Sequence, residues 1–352
     1  MKEKLIILLF AFVAVSFYAV DRFKDTGIND PGKPFKPTPL KLEIPKGWPK
    51  PTNDIFTSNP LTEEGFQLGR KLFYDGRLSK DSNFPCASCH QQFAAFANYE
   101  HDFSHGFNNT FTKRNAPALF NLAWMKLLHW DGSINDIEVQ ALAPLTAPNE
   151  MAERIDTVLA RLRKDKIYPK MFKAAFGSPD ITTQKMLRAL VQFVGSIISS
   201  NSKYDKVQRG EAVFTSNEQN GYMIFKAKCN SCHQEPLFTD NSFRNNGMPL
   251  NTSTKDVGYM NTTGKSSDSL KFKVPSLRNV TLTYPYMHDA RFYNIGQVLD
   301  YYSSNIQTNQ PTLDPLLAKG LPMTLKEKTD LTYFLRTLTD TTLTRNPRYA
   351  QP

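Results

Sequence analysis

All four cysteines of the chain fall into two copies of one five-residue pattern, Cys86-Ala87-Ser88-Cys89-His90 and Cys229-Asn230-Ser231-Cys232-His233. Nothing else in the sequence limits the fold as strongly. Two thiols one helical turn apart can form thioethers to the two vinyl groups of one porphyrin. The histidine that follows then stands under the ring and offers a nitrogen to the iron. A four-thiolate zinc site would leave both trailing histidines idle, and the two pairs lie much too far apart for a zinc ribbon. A thioredoxin-like redox pair needs a βαβ pattern that neither copy has around it. Two disulfides, as an exported protein could form, would make both histidines coincidental. The sequence therefore predicts two covalently bound c-type haems.

The surroundings of the motifs repeat as well. Gly69-Arg70-Lys71-Leu72-Phe73 precedes the first and Gly221-Tyr222-Met223-Ile224-Phe225 the second. Gln91, Phe96 and Asn98 follow the first, and Gln234, Phe238 and Asn241 follow the second. Such a repeat predicts two domains of one fold, each with its own haem and an amphipathic helix ahead of the motif. Elsewhere helical spacing dominates: Ile155, Val158, Leu159 and Leu162; Met186, Leu190, Phe193, Val194 and Ile197; less regularly Leu325, Leu331, Phe334 and Leu338. Period-two alternation is scarce. The expected fold is mainly α, two cytochrome c-like domains with their haems near the interface. The expected domains are 61–205 and 206–352, with the boundary in the polar stretch Lys203 to Gly210.

Met1-Lys2-Glu3-Lys4 followed by an uncharged run from Leu5 to Val20 has the layout of a secretory signal. The run is short for a spanning helix, so residues 1–20 read either as a cleaved signal or as an N-terminal anchor. Both place the rest of the chain outside the cytoplasm, in the periplasm. Residues 21–60 hold eight prolines between Pro31 and Pro60. Proline fixes φ and lacks a donor, so this stretch is expected to be an extended linker or strap.

Further motifs make the chain resemble the bacterial di-haem cytochrome c peroxidases, a family that includes the MauG-like enzymes. They are Leu68-Gly69-Arg70-Lys71-Leu72-Phe73-Tyr74-Asp75, Arg114-Asn115-Ala116-Pro117, Trp130-Asp131-Gly132, Val274-Pro275-Ser276-Leu277-Arg278-Asn279-Val280 and Tyr284-Pro285-Tyr286-Met287-His288-Asp289. The resemblance covers about Leu61 to Thr339. It implies an oxidoreductase in which the N-terminal haem meets H2O2 while the C-terminal haem takes electrons from a small donor, a cytochrome c or a cupredoxin. Trp130 matches the tryptophan between the haems. Gln140 and Glu150, ten and twenty residues on, match the active-site glutamine and glutamate, and Glu150 would move a proton between the peroxide oxygens. Read alone, Pro148-Asn149-Glu150 could equally open a helix. The resemblance also implies one Ca²⁺ between the haems, held by Asn115 and by the carbonyls of Thr283 and Pro285, a ligand set of the oxygen type that calcium takes. Members are often homodimers.

Two iron ligands depart from the common pattern. The loop expected to carry a distal histidine for the first haem reads His101-Asp102-Phe103-Ser104-His105-Gly106. His105 is nearest the matching place, His101 is a second choice, and an iron without a protein ligand is the third. At the second haem the methionine of ordinary members is replaced by Tyr302, as in the MauG-like branch, with Met287 as its rival and Met323 behind. Phenolate favours ferric and higher states whereas thioether raises the potential. The alternatives to the peroxidase are thus a MauG-like enzyme that oxidises a protein substrate through high-valent iron, or a plain di-haem electron carrier. His288 and His129 read as structural or hydrogen-bonding residues, and Trp124 as core.

The formal charge of +10, +9 without the signal segment, comes from scattered Lys and Arg. No dense basic run or nucleic-acid motif is present, so a docking surface for an acidic redox protein is the better reading.

Overall fold

The computed structural model describes residues 35–352. The leader expected over 1–20 and the start of the proline-rich stretch lie outside the described residues. Helices carry the structure. The one sheet among the described residues pairs two short antiparallel strands, Phe243–Arg244 and Phe272–Lys273, with Phe243 opposite Lys273. Among the described residues no helix is long and apolar enough to cross a membrane.

Two apolar clusters organise the chain. The first gathers Phe66, Leu72, Phe73, Phe96, Phe172 and Phe193; the second gathers Tyr204, Phe225, Phe238, Leu331 and Phe334. Each is assembled in the same way. The helix ahead of the first motif, Glu63–Phe73, is capped by the Thr62 side chain and crosses the helix Thr183–Val194. The helix ahead of the second, Ser216–Lys228, starts in a Thr215/Glu218 capping box and crosses Leu325–Arg336. The repeated glycine is the crossing point in both. A Cβ on Gly69 would stand 1.9 Å from the Ala189 carbonyl oxygen, and one on Gly221 would stand 2.0 Å from that of Asp330. Backbone cannot step aside as a side chain can. Gly221→Ala should therefore push the helices apart and cost about 3 kcal/mol, the upper end for overpacking. Chemical denaturation of the haem-loaded protein reads this as a lower midpoint; an unchanged midpoint would mean that the crossing is not this close.

Several segments link the clusters. The described part of the proline-rich stretch contains no helix and lies against the fold. Trp48 meets Trp124 edge-on at 5.1 Å, and the Trp124 indole donates to the Pro49 carbonyl. The Arg278 guanidinium lies over the Trp48 ring. At the other end of the chain, Tyr349 packs beside Phe66 and Phe193 and Arg348 pairs with Glu63 at 2.9 Å. The C-terminal segment thus returns to the first cluster. The polar stretch expected to mark the boundary is itself a helix, Lys203–Gln208, with Tyr204 and Asp205 buried. Its charge is compatible with burial because the buried carboxylate has a buried partner, Arg278. Leu325, counted in an apolar stripe, is the exposed first residue of its helix.

Candidate active site

Cys86–Cys89 forms a single helical turn, and the His90 N–H donates to the Cys86 carbonyl at 3.0 Å. The second motif repeats this bond, from His233 to Cys229, also at 3.0 Å. Both imidazoles are tied at Nδ1: His90 to the Phe96 carbonyl at 3.1 Å, and His233 to those of Phe238 and Pro275 at 3.2 and 3.1 Å. A backbone carbonyl on Nδ1 fixes the tautomer and leaves the Nε2 lone pair for a metal. Burial keeps the His90 ring neutral, with its pKa lowered to about 4. The four cysteines form no disulfide. Burial pushes the Cys86 and Cys229 thiols up to about 12, the opposite of an activated redox thiolate.

One cavity of about 1420 Å³ receives both motifs, with Cys89, His90, Cys229, Cys232 and His233 on its walls. Ligand pockets usually span about 300–1,000 Å³, so this one has room for more than one large planar group. Its thiols, its two oriented imidazoles and its size fit two haems. Among the described residues no group of three or more His, Cys, Asp and Glu side chains is placed to hold a metal ion.

The cavity also collects most of the other expected residues. Trp130 lies on the wall, with its indole donating to the Asn115 carbonyl at 2.9 Å and its ring 6.5 Å from that of His288. Asn115, Thr283 and Pro285 line the same cavity. The Asn115 N–H donates to His288, and its amide reaches the carbonyls of His101 and Asp102 at 3.3 and 3.4 Å. Gln140 ends the helix Ile137–Gln140 and meets His129 at 3.2 Å. Glu150 lies in a turn, not at a helix start, and its carbonyl accepts from Phe107. Gly106 packs tightly on this turn, since a Cβ there would meet the Asn149 carbonyl at 2.1 Å. Burial raises the Glu150 pKa. After burial itself, the Glu150 charge adds to the upward shift of Cys86 and Cys89, so this carboxyl belongs to the first motif.

At the second motif, Tyr302 sits in a single π-helical turn, Tyr301–Asn305, an element frequent at functional sites. Tyr302, Met287 and Met323 all line the cavity. The Asn246 amide donates to the Tyr302 hydroxyl at 3.2 Å and to the Met287 sulfur at 3.7 Å. Both rivals for the iron are therefore gathered around one amide. Burial pushes the Tyr302 phenol up to about 12.

The structure does not bring His105 or His101 to the cavity. Both are exposed, their rings 5.3 Å apart, and His105 leans on Phe111 at 4.5 Å. His288 is buried and stacked on Phe272 at 3.6 Å, in keeping with a structural role.

Sequence reasoning passed over three features. Arg114 joins Asp131 at 2.7 Å and Asp256 at 2.6 Å, a charge cluster on the cavity wall. Lys273 lines the cavity. Its ammonium donates to the Leu127 carbonyl at 3.0 Å and has no carboxylate within ion-pair distance among the described residues. Burial lowers its pKa to about 8. The third feature is a second pair of repeats, Pro117-Ala118-Leu119-Phe120-Asn121 and Pro275-Ser276-Leu277-Arg278-Asn279, which the sequence displays openly.

Comparison with known proteins identifies the family. The profile of the family described as di-haem cytochrome c peroxidase matches residues 63–213. A methylamine utilization protein MauG from Methylorubrum extorquens is 34% identical over 287 residues, 80% of each chain. A cytochrome c551 peroxidase from Nitrosomonas europaea is 32% identical, covering 71% of this chain and 76% of its own. Among solved structures, a MauG-like protein associated with microbial copper homeostasis superimposes with a TM-score of 0.83 at 33% identity, over 89% of this chain and 99% of its own. With paired C-x-x-C-H turns opening on one cavity and relatives of this similarity, the chain belongs to the di-haem cytochrome c peroxidase family, oxidoreductases that act on hydrogen peroxide.

Proposed function

We propose that this is a periplasmic di-haem peroxidase whose two motifs divide the reaction. Cys86, Cys89 and His90 would hold one haem and Cys229, Cys232 and His233 the other. When bound, these supply the electron transfer and the open iron position that peroxide needs. The observation that carries the reading is the single cavity shared by both proximal histidines, Trp130 and Glu150. Trp130 lines the cavity that both motifs share and offers a π system to electrons crossing between them. Glu150, whose pKa burial raises, is suited to give a proton to the outgoing peroxide oxygen. Gln140 orients the peroxide beside it. Lys273, an ammonium on the cavity wall without a carboxylate partner among the described residues, would be suited to pair with a haem propionate. Asn115, Thr283 and Pro285 offer side-chain and backbone oxygens to one Ca²⁺. The net positive charge suits a small acidic donor, bound weakly and with salt sensitivity.

The placement of His105 away from the cavity and of Tyr302 inside it favours a permanently open first iron and phenolate at the second. That combination also supports the MauG-like reading, in which a protein side chain is oxidised instead of a donor. Steady-state turnover of H2O2 with a reduced small cytochrome tests the main reading. A slow assay together with oxidation of an added protein substrate would favour the second. Tyr302→Phe should change the ferric low-spin EPR signal of the second haem. It should also raise that haem's reduction equilibrium at least about tenfold, or 59 mV for one electron, because phenolate stabilises the ferric state. An unaltered signal would remove Tyr302 as a ligand.

A further inference from the structure

His129 has no assigned task, yet it is the one histidine, beyond the two proximal ones and the stacked His288, that lines the cavity. It stands in the left-handed region, φ 63°, where a non-glycine residue is uncommon and often functional. A bridge between Leu128 and Ile134 closes the loop around it. Its Nδ1 is paired with the Ser133 hydroxyl at 3.1 Å and its Nε2 with the Gln140 amide at 3.2 Å. An amide nitrogen only donates, so Nε2 accepts and its lone pair points toward Gln140, in the cavity that Glu150 also lines.

The second half of the chain gives an internal control. Leu128-His129-Trp130-Asp131-Gly132 corresponds to Tyr286-Met287-His288-Asp289-Ala290. Met287 is again left-handed, φ 76°. A bridge from Tyr286 to Phe292 closes its loop, and its polar atom again meets a side-chain amide, that of Asn246. One position of the repeat thus carries a proton acceptor at the first motif and a thioether, which cannot carry a proton, at the second.

We propose that His129 is a catalytic base at the first haem, taking the proton from the peroxide oxygen that approaches the iron. Gln140 releases Nε2 as peroxide enters. The O–H bond breaks, its electron pair stays on oxygen and the proton passes to Nε2. Glu150 protonates the far oxygen, which leaves as water with the electron pair of the O–O bond. Two electrons from the redox partner, the proton returned by His129 and one proton from solvent complete the second water, and a second solvent proton resets Glu150. Asp131, Arg114 and Lys273 act on the imidazole from the surrounding loop and strand, and His90 and Glu150 share its cavity. Burial first, then Lys273 and Arg114 against Asp131, lowers its pKa, while burial raises that of Glu150. Environments that push two groups of one cavity apart in this way separate a base from an acid.

The inference rests on the peroxidase reading, and one experiment separates the two. Haem-loaded wild type, His129→Phe and His129→Gln would be mixed with H2O2 in a stopped-flow instrument from about pH 5 to about pH 9, with EPR and haem content as controls. We expect His129→Phe to react about a hundredfold more slowly, to lose the decline in rate at acid pH that the wild type shows, and to keep its EPR spectrum. His129→Gln should behave in the same way, because it preserves hydrogen bonding but cannot take a proton. Equal rates in His129→Phe and wild type would overturn the role of His129 and leave the peroxidase intact. So would a shift of the first haem from low to high spin, which would make His129 an iron ligand. A wild type that fails to react with H2O2 would overturn both.

Discussion

Glu150→Gln should lower kcat/KM for H2O2 by about 10²–10⁴, the usual range for losing one general acid. The substitution keeps the size and most of the hydrogen bonding of the side chain, so haem attachment and spin state should not change. What is lost is the proton. Burial raises the pKa of this carboxyl, which favours its proton-carrying form, and the turn that holds it is fixed by the close approach of Gly106. The same burial has a consequence for stability. A folded-state pKa above the unfolded one means that the folded protein bears the cost of ionising Glu150 as pH rises through that value. Glutamine carries no such cost, so the variant should be somewhat more stable than wild type at neutral pH while turning over far more slowly. Peroxide assays and denaturation on the same preparation would show both. Activity within a few-fold of wild type would remove Glu150 from the reaction.

The two C-x-x-C-H motifs made the haem turns legible, because a one-turn helix with a trailing histidine is local geometry written in five residues. The repeated Gly-x-x-Leu/Ile-Phe also carried more than amphipathicity, since the glycine marks where each helix crosses its partner's backbone. His105 was not legible. Its loop passes through left-handed residues at Glu100, Asn108 and Asn109, and where backbone has no period a position cannot be converted into a direction. The Arg114–Asp256 pair joins residues 142 positions apart, and no periodicity reports such a contact. The Pro-x-Leu-x-Asn repeat was visible all along. Its meaning emerges only in three dimensions, where Asn121 and Asn279 both adopt φ 57° and both reach Ser199, through its backbone and its hydroxyl.

Asp205→Asn should destabilise the haem-loaded protein by about 3–5 kcal/mol, the cost of stranding one partner of a buried ion pair. Arg278 is fully buried and donates to both oxygens of Asp205, at 2.9 and 2.7 Å. Its Nε bonds the Pro236 carbonyl at 2.8 Å, three residues past His233, and its guanidinium lies over Trp48 at 4.6 Å and Phe238 at 5.5 Å. One cation therefore ties together the proline-rich strap, the second cluster and the loop whose Phe238 carbonyl orients the proximal imidazole. Asparagine keeps the volume but leaves the guanidinium charge uncompensated where water cannot reach it. Burial opposes ionisation of Asp205, but the Arg278 hydrogen bonds and charge outweigh it and hold the carboxyl below its usual range. A depressed folded pKa contributes stability that is present above the ordinary carboxylate pKa of about 3.9 and is lost as pH falls through the folded value. The gap between wild type and Asp205→Asn should thus be widest at neutral pH and close in strong acid. Denaturation midpoints across that range measure it, and a gap that does not narrow in acid would mean that packing, rather than charge, sets the loss. The Asp205→Asn protein should also show a disturbed second-haem EPR signal before it unfolds, because the Pro236–Phe238 loop and the His233 orientation depend on the same arginine.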